Sequence, residues 1–303
     1  MLIRNMEIGQ WYPESYDIEN EQEFETLALC GEKIKSKFCT FLDNEKYVDD
    51  ISENAVTIIT TSELAERCRG LGRGIVITAN PRWMFFAIHN FLSSNLLYSD
   101  EKFKTVISSK AQVSELAYVA QENVIIGDNT IVEPFVTIYP NVIIGKNVII
   151  RSGARIGGEG FEFKKTEKGN MAVIHAGRVR IEDNVEIQNN TCIDKAVYPW
   201  DETVLEEYVK VDDLVYIAHG VKIRKGTMIA GRTAIGGRTI VGSNTWIGLG
   251  VTIRNGISIG EYSRANMGAV VTKSVDDGVA VSGNFAIDHK KFIEQIKKNS
   301  SEE

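Results

Sequence analysis

An aliphatic residue returns at every sixth position through most of this chain, and that spacing leaves few folds open. Ile126, Val132, Ile138, Ile144, Ile150 and Ile156 form one run, and Ile181, Ile187 and Ile193 a second. The third runs Leu205, Val211, Ile217, Ile223, Ile229, Ile235, Val241, Ile247, Ile253 and Ile259. Two residues earlier stands a small or β-branched side chain, as at Thr130, Val136, Val148, Ala154, Thr191, Thr227 and Thr233. A period of two nested in a period of six describes short strands that each turn one aliphatic inward, separated by turns of Gly, Asp and Asn. Three such faces close a coil. Coils stacked at ~4.8 Å place the inward side chains in continuous columns, so each coil depends on its neighbours. A β-sandwich with chance spacing would not keep this beat through the long third run.

The pattern resembles that of the hexapeptide-repeat acyltransferases, which implies a left-handed parallel β-helix; the usual right-handed rule for parallel crossovers makes the handedness a matter of resemblance alone. The same resemblance implies a homotrimer with active sites between subunits. A regular prism offers a repetitive surface, so function should gather where the beat is broken. One break spans residues 157–180 and contains Gly157-Gly158-Glu159-Gly160-Phe161-Glu162-Phe163; the other spans residues 194–203. Gly177-Arg178-Val179-Arg180-Ile181, then Glu186-Ile187 through Thr191-Cys192-Ile193-Asp194, then Ile217-Ala218-His219 follow in order. This ordered set resembles the UDP-3-O-acylglucosamine N-acyltransferase branch. The resemblance implies transfer of an acyl group from a thioester to the amine of a nucleotide-linked amino sugar.

By that resemblance His219 is the catalytic base, and its chemistry suits the role: an amine protonated near neutrality must lose a proton before it attacks a carbonyl, which an imidazole can accept. An insertion of six residues at the second break would set Ile217 one coil above Ile193 and bring Asp194 near His219, close enough to orient the ring. Glu159, Phe161, Phe163 and His175 in the first break are candidate substrate contacts, although His175 reads equally well as a surface histidine. His89 reads as structural.

Before the array, residues 55–60 and 74–78 read as buried strands of a small α/β domain, each followed by a helix. The first helix carries a candidate Thr60–Glu63 capping box, and the second has Pro81 in its first turn. Phe41-Leu42-Asp43-Asn44-Glu45-Lys46-Tyr47 resembles the stretch by which the same branch holds a uracil ring: two aromatics, Phe41 and Tyr47, sandwich a flat base while the Asn44 amide meets its edge. No phosphate-cradling P-loop or dinucleotide fingerprint is present. The closing coils resemble the coenzyme-A-binding end of hexapeptide acetyltransferases. There Gly248 and Gly250 are candidate backbone donors to an oxyanion, and Arg254, Arg264 and Lys273 candidate phosphate contacts. Two departures from the branch, Asn255-Gly256 followed by Ile257 where a histidine stands in the family and a short C-terminal end, favour a short acyl group on coenzyme A over acyl carrier protein.

The expected organisation is thus an α/β nucleotide-binding domain over residues 1–105, a β-helix over 106–285 and a C-terminal helix carrying Phe292 and Ile296 over 286–303. The net charge of −7 argues against nucleic acid as a partner. No run of apolar residues reaches membrane-spanning length and Met1 to Glu7 holds no apolar core, so a cytoplasmic address is expected. Cys30, Cys39, Cys68 and Cys192 have no metal-binding or disulfide spacing and read as reduced, buried thiols. No tightly bound cofactor or metal is expected. Two competing readings are a γ-carbonic-anhydrase-like metalloenzyme, for which the array supplies only His175 and His219 where zinc needs three imidazoles, and a non-catalytic scaffold.

Overall fold

The computed structural model describes residues 2–12, 14–95, 97, 102–166, 169–283, 288–291 and 293–294. In it the six-residue beat closes into a parallel β-helix. Its three faces are ladders of very short strands. The first runs from Val106–Ile107 to Ser258–Ile259, the second from Gln112–Val113 to Ala280–Val281, and the third from Tyr118–Val119 to Val270–Val271. Where the repeat is unbroken, partners stand one coil apart, as Ile125 with Ile143 (143 − 125 = 18) and Ile235 with Ile253 (253 − 235 = 18).

The inward aliphatics form a single core column from Val124 to Val275. Each contributes roughly 1.5–3 kcal/mol before entropy is counted. The threonines two residues earlier are buried as well and have a second task. Thr130, Thr227, Thr233 and Thr245 each donate their hydroxyl to a carbonyl fifteen residues on, at Gly145, Gly242, Gly248 and Gly260. A hydroxyl that would be costly to bury thereby helps to close the next turn. Asparagine suits the corners because it tolerates a left-handed backbone. Asn123 and Asn141 sit there with φ 59° and 65°, and Asn123 Nδ2 donates to Asn141 Oδ1 at 2.9 Å.

Both interruptions leave the prism at the same edge, between the third face and the first. The ladders continue past them: Ile156 pairs with Ile193, and Ile193 with Ile217, so the second insertion has the six-residue length that the beat requires. The first insertion carries an antiparallel hairpin, Phe163–Thr166 with Gly169–Ala172.

The N-terminal domain is a five-stranded sheet in the order Asp17–Glu19, Gly74–Ile77, Ala55–Thr60, Phe38–Leu42, Thr26–Leu27, with the first strand antiparallel and the rest parallel. Helix α1 spans Ser62–Arg69 and α2 spans Pro81–Ser94, with Pro81 in the first turn as expected. The capping box does not form. Thr61 occupies the cap, and Thr60 instead donates its hydroxyl to the Leu42 carbonyl at 2.9 Å, tying two strands together.

Helix α2 docks this domain on the insertions. His89 Nε2 donates to the Ile174 carbonyl at 2.7 Å, and Asn90 donates to Ala172 and accepts from the Ile174 amide. From the second insertion, Trp200 donates to the Leu27 carbonyl and stacks on Tyr198, whose ring meets His89 edge-on. His89 is therefore structural, and burial pushes its pKa down to about 4. All four cysteines are free, but only Cys39 and Cys68 are buried; Cys30 and Cys192 are half-buried, contrary to the uniform burial expected. At the C-terminus, residues 289–291 and 293–294 are helical, while Phe292 and Ile296 lie outside the described residues. Among the described residues no helix is long and apolar enough to cross a membrane.

Candidate active site

The docking leaves a cavity of about 730 Å³ between the N-terminal sheet and the interrupted edge of the β-helix. Phe41 and Tyr47 line its far wall; Glu162, Lys164, Asp201, His219 and Arg238 line the wall made by the coils and their insertions. Two of the strongest sequence signals, the aromatic pair and the histidine, thus meet in one chamber. Phe41 packs against Phe85 with ring centroids 5.0 Å apart, and the Arg82 guanidinium lies 5.4 Å from its ring. Asn44 behaves differently from the expectation. Its side-chain oxygen accepts the Lys46 amide at 3.1 Å, capping the short turn Glu45–Tyr47, and it does not line the cavity.

His219 stands at the turn after the strand Tyr216–Ile217, its side chain 15% exposed. The next coil passes directly over it: the Arg238 amide donates to the His219 carbonyl at 2.9 Å, and Gly237 leaves the space that the imidazole fills. A Cβ at Gly237 would lie 2.6 Å from both Cε1 and Nε2 of the ring.

The carboxylate beside this imidazole is not the expected one. Tyr216, paired in register with Cys192, donates its phenol to Asp194 Oδ2 at 2.6 Å, so Asp194 is engaged there rather than on His219. Burial pushes the Asp194 carboxyl up, against the pull of that hydrogen bond and of the nearby His219. Instead Glu162 Oε2 lies 3.3 Å from His219 Nε2, and Lys164 Nζ bonds to the same carboxylate from the hairpin. Burial would raise the Glu162 pKa, but its contacts with His219 and Lys164 outweigh this and hold it at about 2. Glu162 escaped the sequence reading because its partner depends on how a loop folds back, which no period encodes.

His175 also departs from expectation. It is buried, with Nδ1–H donating to the Val173 carbonyl at 3.1 Å and Nε2 accepting the Gly160 amide at 3.3 Å. Both ring nitrogens thus secure the loop, and neither is offered to a substrate. Burial, then the nearby His219, push its pKa down to about 4. The two rings meet edge-to-face at 5.5 Å. Glu159 is exposed, 3.5 Å from Lys195 Nζ. Phe161, 84% exposed, packs against Phe163 outside the cavity, with ring centroids 4.9 Å apart.

None of the five closing-coil residues lines the cavity. The Gly248 amide donates to the Ala265 carbonyl and the Gly250 amide to the Gly231 carbonyl, so the ladder consumes both groups expected to serve an oxyanion. Arg254, Arg264 and Lys273 are exposed, with the Arg264 guanidinium 5.8 Å from the Trp246 ring. Among the described residues, no group of three His, Cys, Asp or Glu side chains is placed to hold a metal ion.

Residues 123–158 match the family model described as bacterial transferase hexapeptide (six repeats). A UDP-3-O-acylglucosamine N-acyltransferase of Legionella pneumophila is 49% identical over 74 residues, which span 24% of this chain and 21% of that protein. Its namesake from Porphyromonas gingivalis is 47% identical over 74 residues, with the same coverage of 24% and 21%. The match thus spans about a fifth of the length of these curated relatives. Among solved structures, an Arabidopsis UDP-N-acetylglucosamine acyltransferase superposes with a TM-score of 0.47 at 19% identity, over 59% of this chain and 70% of the other, too loosely to inform the site.

Proposed function

We propose that this chain is an N-acyltransferase that moves an acyl group from a thioester to the amine of a nucleotide-linked amino sugar. The observation that carries the reading is the shared chamber. The Phe41 and Tyr47 rings of one domain face the same 730 Å³ space as His219, the sole imidazole lining it among the described residues. That volume lies within the range of small-molecule sites. An aromatic pair at one end suits a flat base, and a base-catalytic histidine at the other suits a sugar amine. The relatives matched over the coils carry the name of an acyltransferase with a UDP-sugar substrate.

In this reading, the nucleotide base packs on Phe41 and Tyr47 and the sugar reaches toward the coils. His219 takes a proton from the amine as its nitrogen attacks the thioester carbonyl, and the thiolate departs. Orientation in a closed site supplies much of the acceleration, because the two substrates meet at fixed distance rather than by collision. The acyl donor, coenzyme A or an acyl carrier protein, approaches along the upper coils. Register sets Arg254 two rungs above Ala218 on the same face, roughly 10 Å away, where it would meet donor phosphates. The chamber is built from one chain, and a homotrimer would bring a neighbour's face to its open side.

The test is thiol release from acetyl-CoA, longer acyl-CoA and acyl carrier protein in the presence of UDP- and dTDP-amino sugars, with His219→Ala as the control. Turnover with an amino sugar, abolished in the variant, supports the reading. No turnover with any pair, or undiminished turnover in the variant, refutes it.

A further inference from the structure

The partner of His219 comes from an insertion, not from the coil beneath it, and the geometry around the ring is specific. Glu162 and His219 are each four-fifths or more buried, and their nearest atoms, Oε2 and Nε2, are 3.3 Å apart. We infer that Glu162 is a positioning residue for acyl transfer: it keeps the proton of neutral His219 on Nε2, leaves Nδ1 as the atom that accepts the amine proton, and balances the imidazolium that forms. This role rests on the proposed reaction, in which His219 is the base.

The preference of the ring for this tautomer is electrostatic. An unprotonated Nε2 held 3.3 Å from an ionised carboxylate is repelled by it, whereas an N–H there is attracted, so the neutral ring takes the Nε2–H tautomer. The carboxylate is ionised throughout the physiological range, since its pKa is held at about 2. The other charges around the ring are committed elsewhere. Asp194 is engaged by Tyr216, Asp201 by Lys222, and Arg238 by Glu32 of the N-terminal domain. Behind the loop, Lys195 faces Glu159, and across the cavity Arg82 is held by Asp43. Lys33 lines the far side, and His175 is kept neutral by burial. Lys164 bonds Glu162 on its other side and fixes the carboxylate while its ammonium lies 4.3 Å from the Phe86 ring. The step then balances: the N–C bond forms, the C–S bond breaks, Nδ1 takes the proton from nitrogen, and the departing thiolate receives it to leave as a thiol.

In the sequence Glu162 falls inside the first break of the six-residue beat, Gly157-Gly158-Glu159-Gly160-Phe161-Glu162-Phe163. A glutamate in that place supplies the ring with a partner from outside the coils.

Two measurements test this on the full chain. Nitrogen-15 spectra of histidine-labelled protein without substrate, with the His219 signal assigned by its loss in His219→Gln, should show the Nε2–H tautomer. Glu162→Gln should keep that tautomer, since an amide oxygen still accepts, and Glu162→Leu should lose it. In turnover, Glu162→Gln should lower kcat by at least about tenfold and move the acid limb of the kcat profile toward lower pH, with KM for the nucleotide sugar unchanged. Glu162→Asp should recover part of kcat. An Nδ1–H tautomer in the native protein, or a Glu162→Gln profile whose acid limb stays in place, overturns the role. The spectra need no substrate, so a native protein that shows the Nε2–H tautomer but transfers no acyl group refutes the reaction and not the pairing.

Discussion

Gly237→Ala should disable the site while leaving the fold intact. Gly237 stands one coil beyond His219 (237 − 219 = 18), and its backbone is not left-handed, so alanine meets no conformational obstacle of its own. The obstacle is the imidazole. The new methyl would lie 2.6 Å from Cε1 and Nε2, against about 3.4 Å for ordinary contact, so the ring must retreat by roughly 0.8 Å (3.4 − 2.6). That displacement separates Nε2 from Glu162 and moves the proposed base away from the amine it would deprotonate. A misplacement near 1 Å costs about 10²-fold in rate, or ~2.7 kcal/mol of transition-state stabilisation. Because the ring borders an open cavity, it can yield without repacking the core, and the stability cost should stay within about 1 kcal/mol. The assay is kcat from thiol release, with a thermal melt on the same preparation. Gly256→Ala is the control: that turn glycine has φ +70° and open space where a Cβ would stand, with nothing within 4 Å, so the substitution strains the backbone but touches no site residue. Native kcat in Gly237→Ala would refute the placement of His219 beneath this turn.

The core makes its own prediction: Ile217→Ala, in the column between Ile193 and Ile235, should cost about 2–5 kcal/mol in urea unfolding. Phe41→Ala and Tyr47→Ala should raise KM for the nucleotide sugar with kcat little changed, whereas Asn44→Ala should cost about 1 kcal/mol of stability through its lost cap, with KM unaltered. Stability should also fall as pH drops from about 6.5 to 4. Burial holds His89 and His175 at about 4 in the native chain, so over that interval the unfolded chain binds protons that the native one does not. With two groups the slope reaches about 2.7 kcal/mol per pH unit, and His175→Gln should halve it in urea midpoints measured across the window. A flat pH profile would show that these rings are not kept neutral by burial.

What the sequence disclosed and what it hid divide along a physical line. Everything set by period was legible: the inward columns, the alignment of Ile217 over Ile193, and the turn that carries His219. Even the glycine above the ring is readable once eighteen residues are counted from His219. The helix beginning at Pro81 was legible too, because proline at a first turn and an apolar face are local signals. The carboxylate beside His219 was not. Asp194 had the right rung, but the phenol of Tyr216 reaches it first, and that competition depends on side-chain length rather than on spacing. His175 was ambiguous for a related reason. A loop histidine looks solvated until α2 lands on residues 172–174 and buries the loop beneath it. The glycine amides of the closing coils failed as oxyanion donors because a β-helix already uses such amides to bind one coil to the next.

The same commitment of amides explains why the proposed site sits at an interrupted edge. Within the regular coils the backbone donors are committed to the ladder, so a polar group aimed at a substrate has to come from a side chain or from backbone outside the repeat. Both insertions emerge between the third and first faces and rejoin the ladder in register, as the pairing of Ile156, Ile193 and Ile217 shows. They therefore add a wall without removing a rung from the prism, and longer loops add little to the entropy of closure. One insertion supplies Glu162 and Lys164, the other supplies Asp201, and the two together form the platform on which α2 and the strand ending at Leu27 settle. The aromatic pair at Phe41 and Tyr47 faces His219 only because that platform holds the N-terminal sheet at a fixed height above it. A substitution that loosens the platform without entering the cavity, such as Trp200→Ala, should consequently raise KM and lower kcat together, whereas Phe41→Ala should affect KM alone.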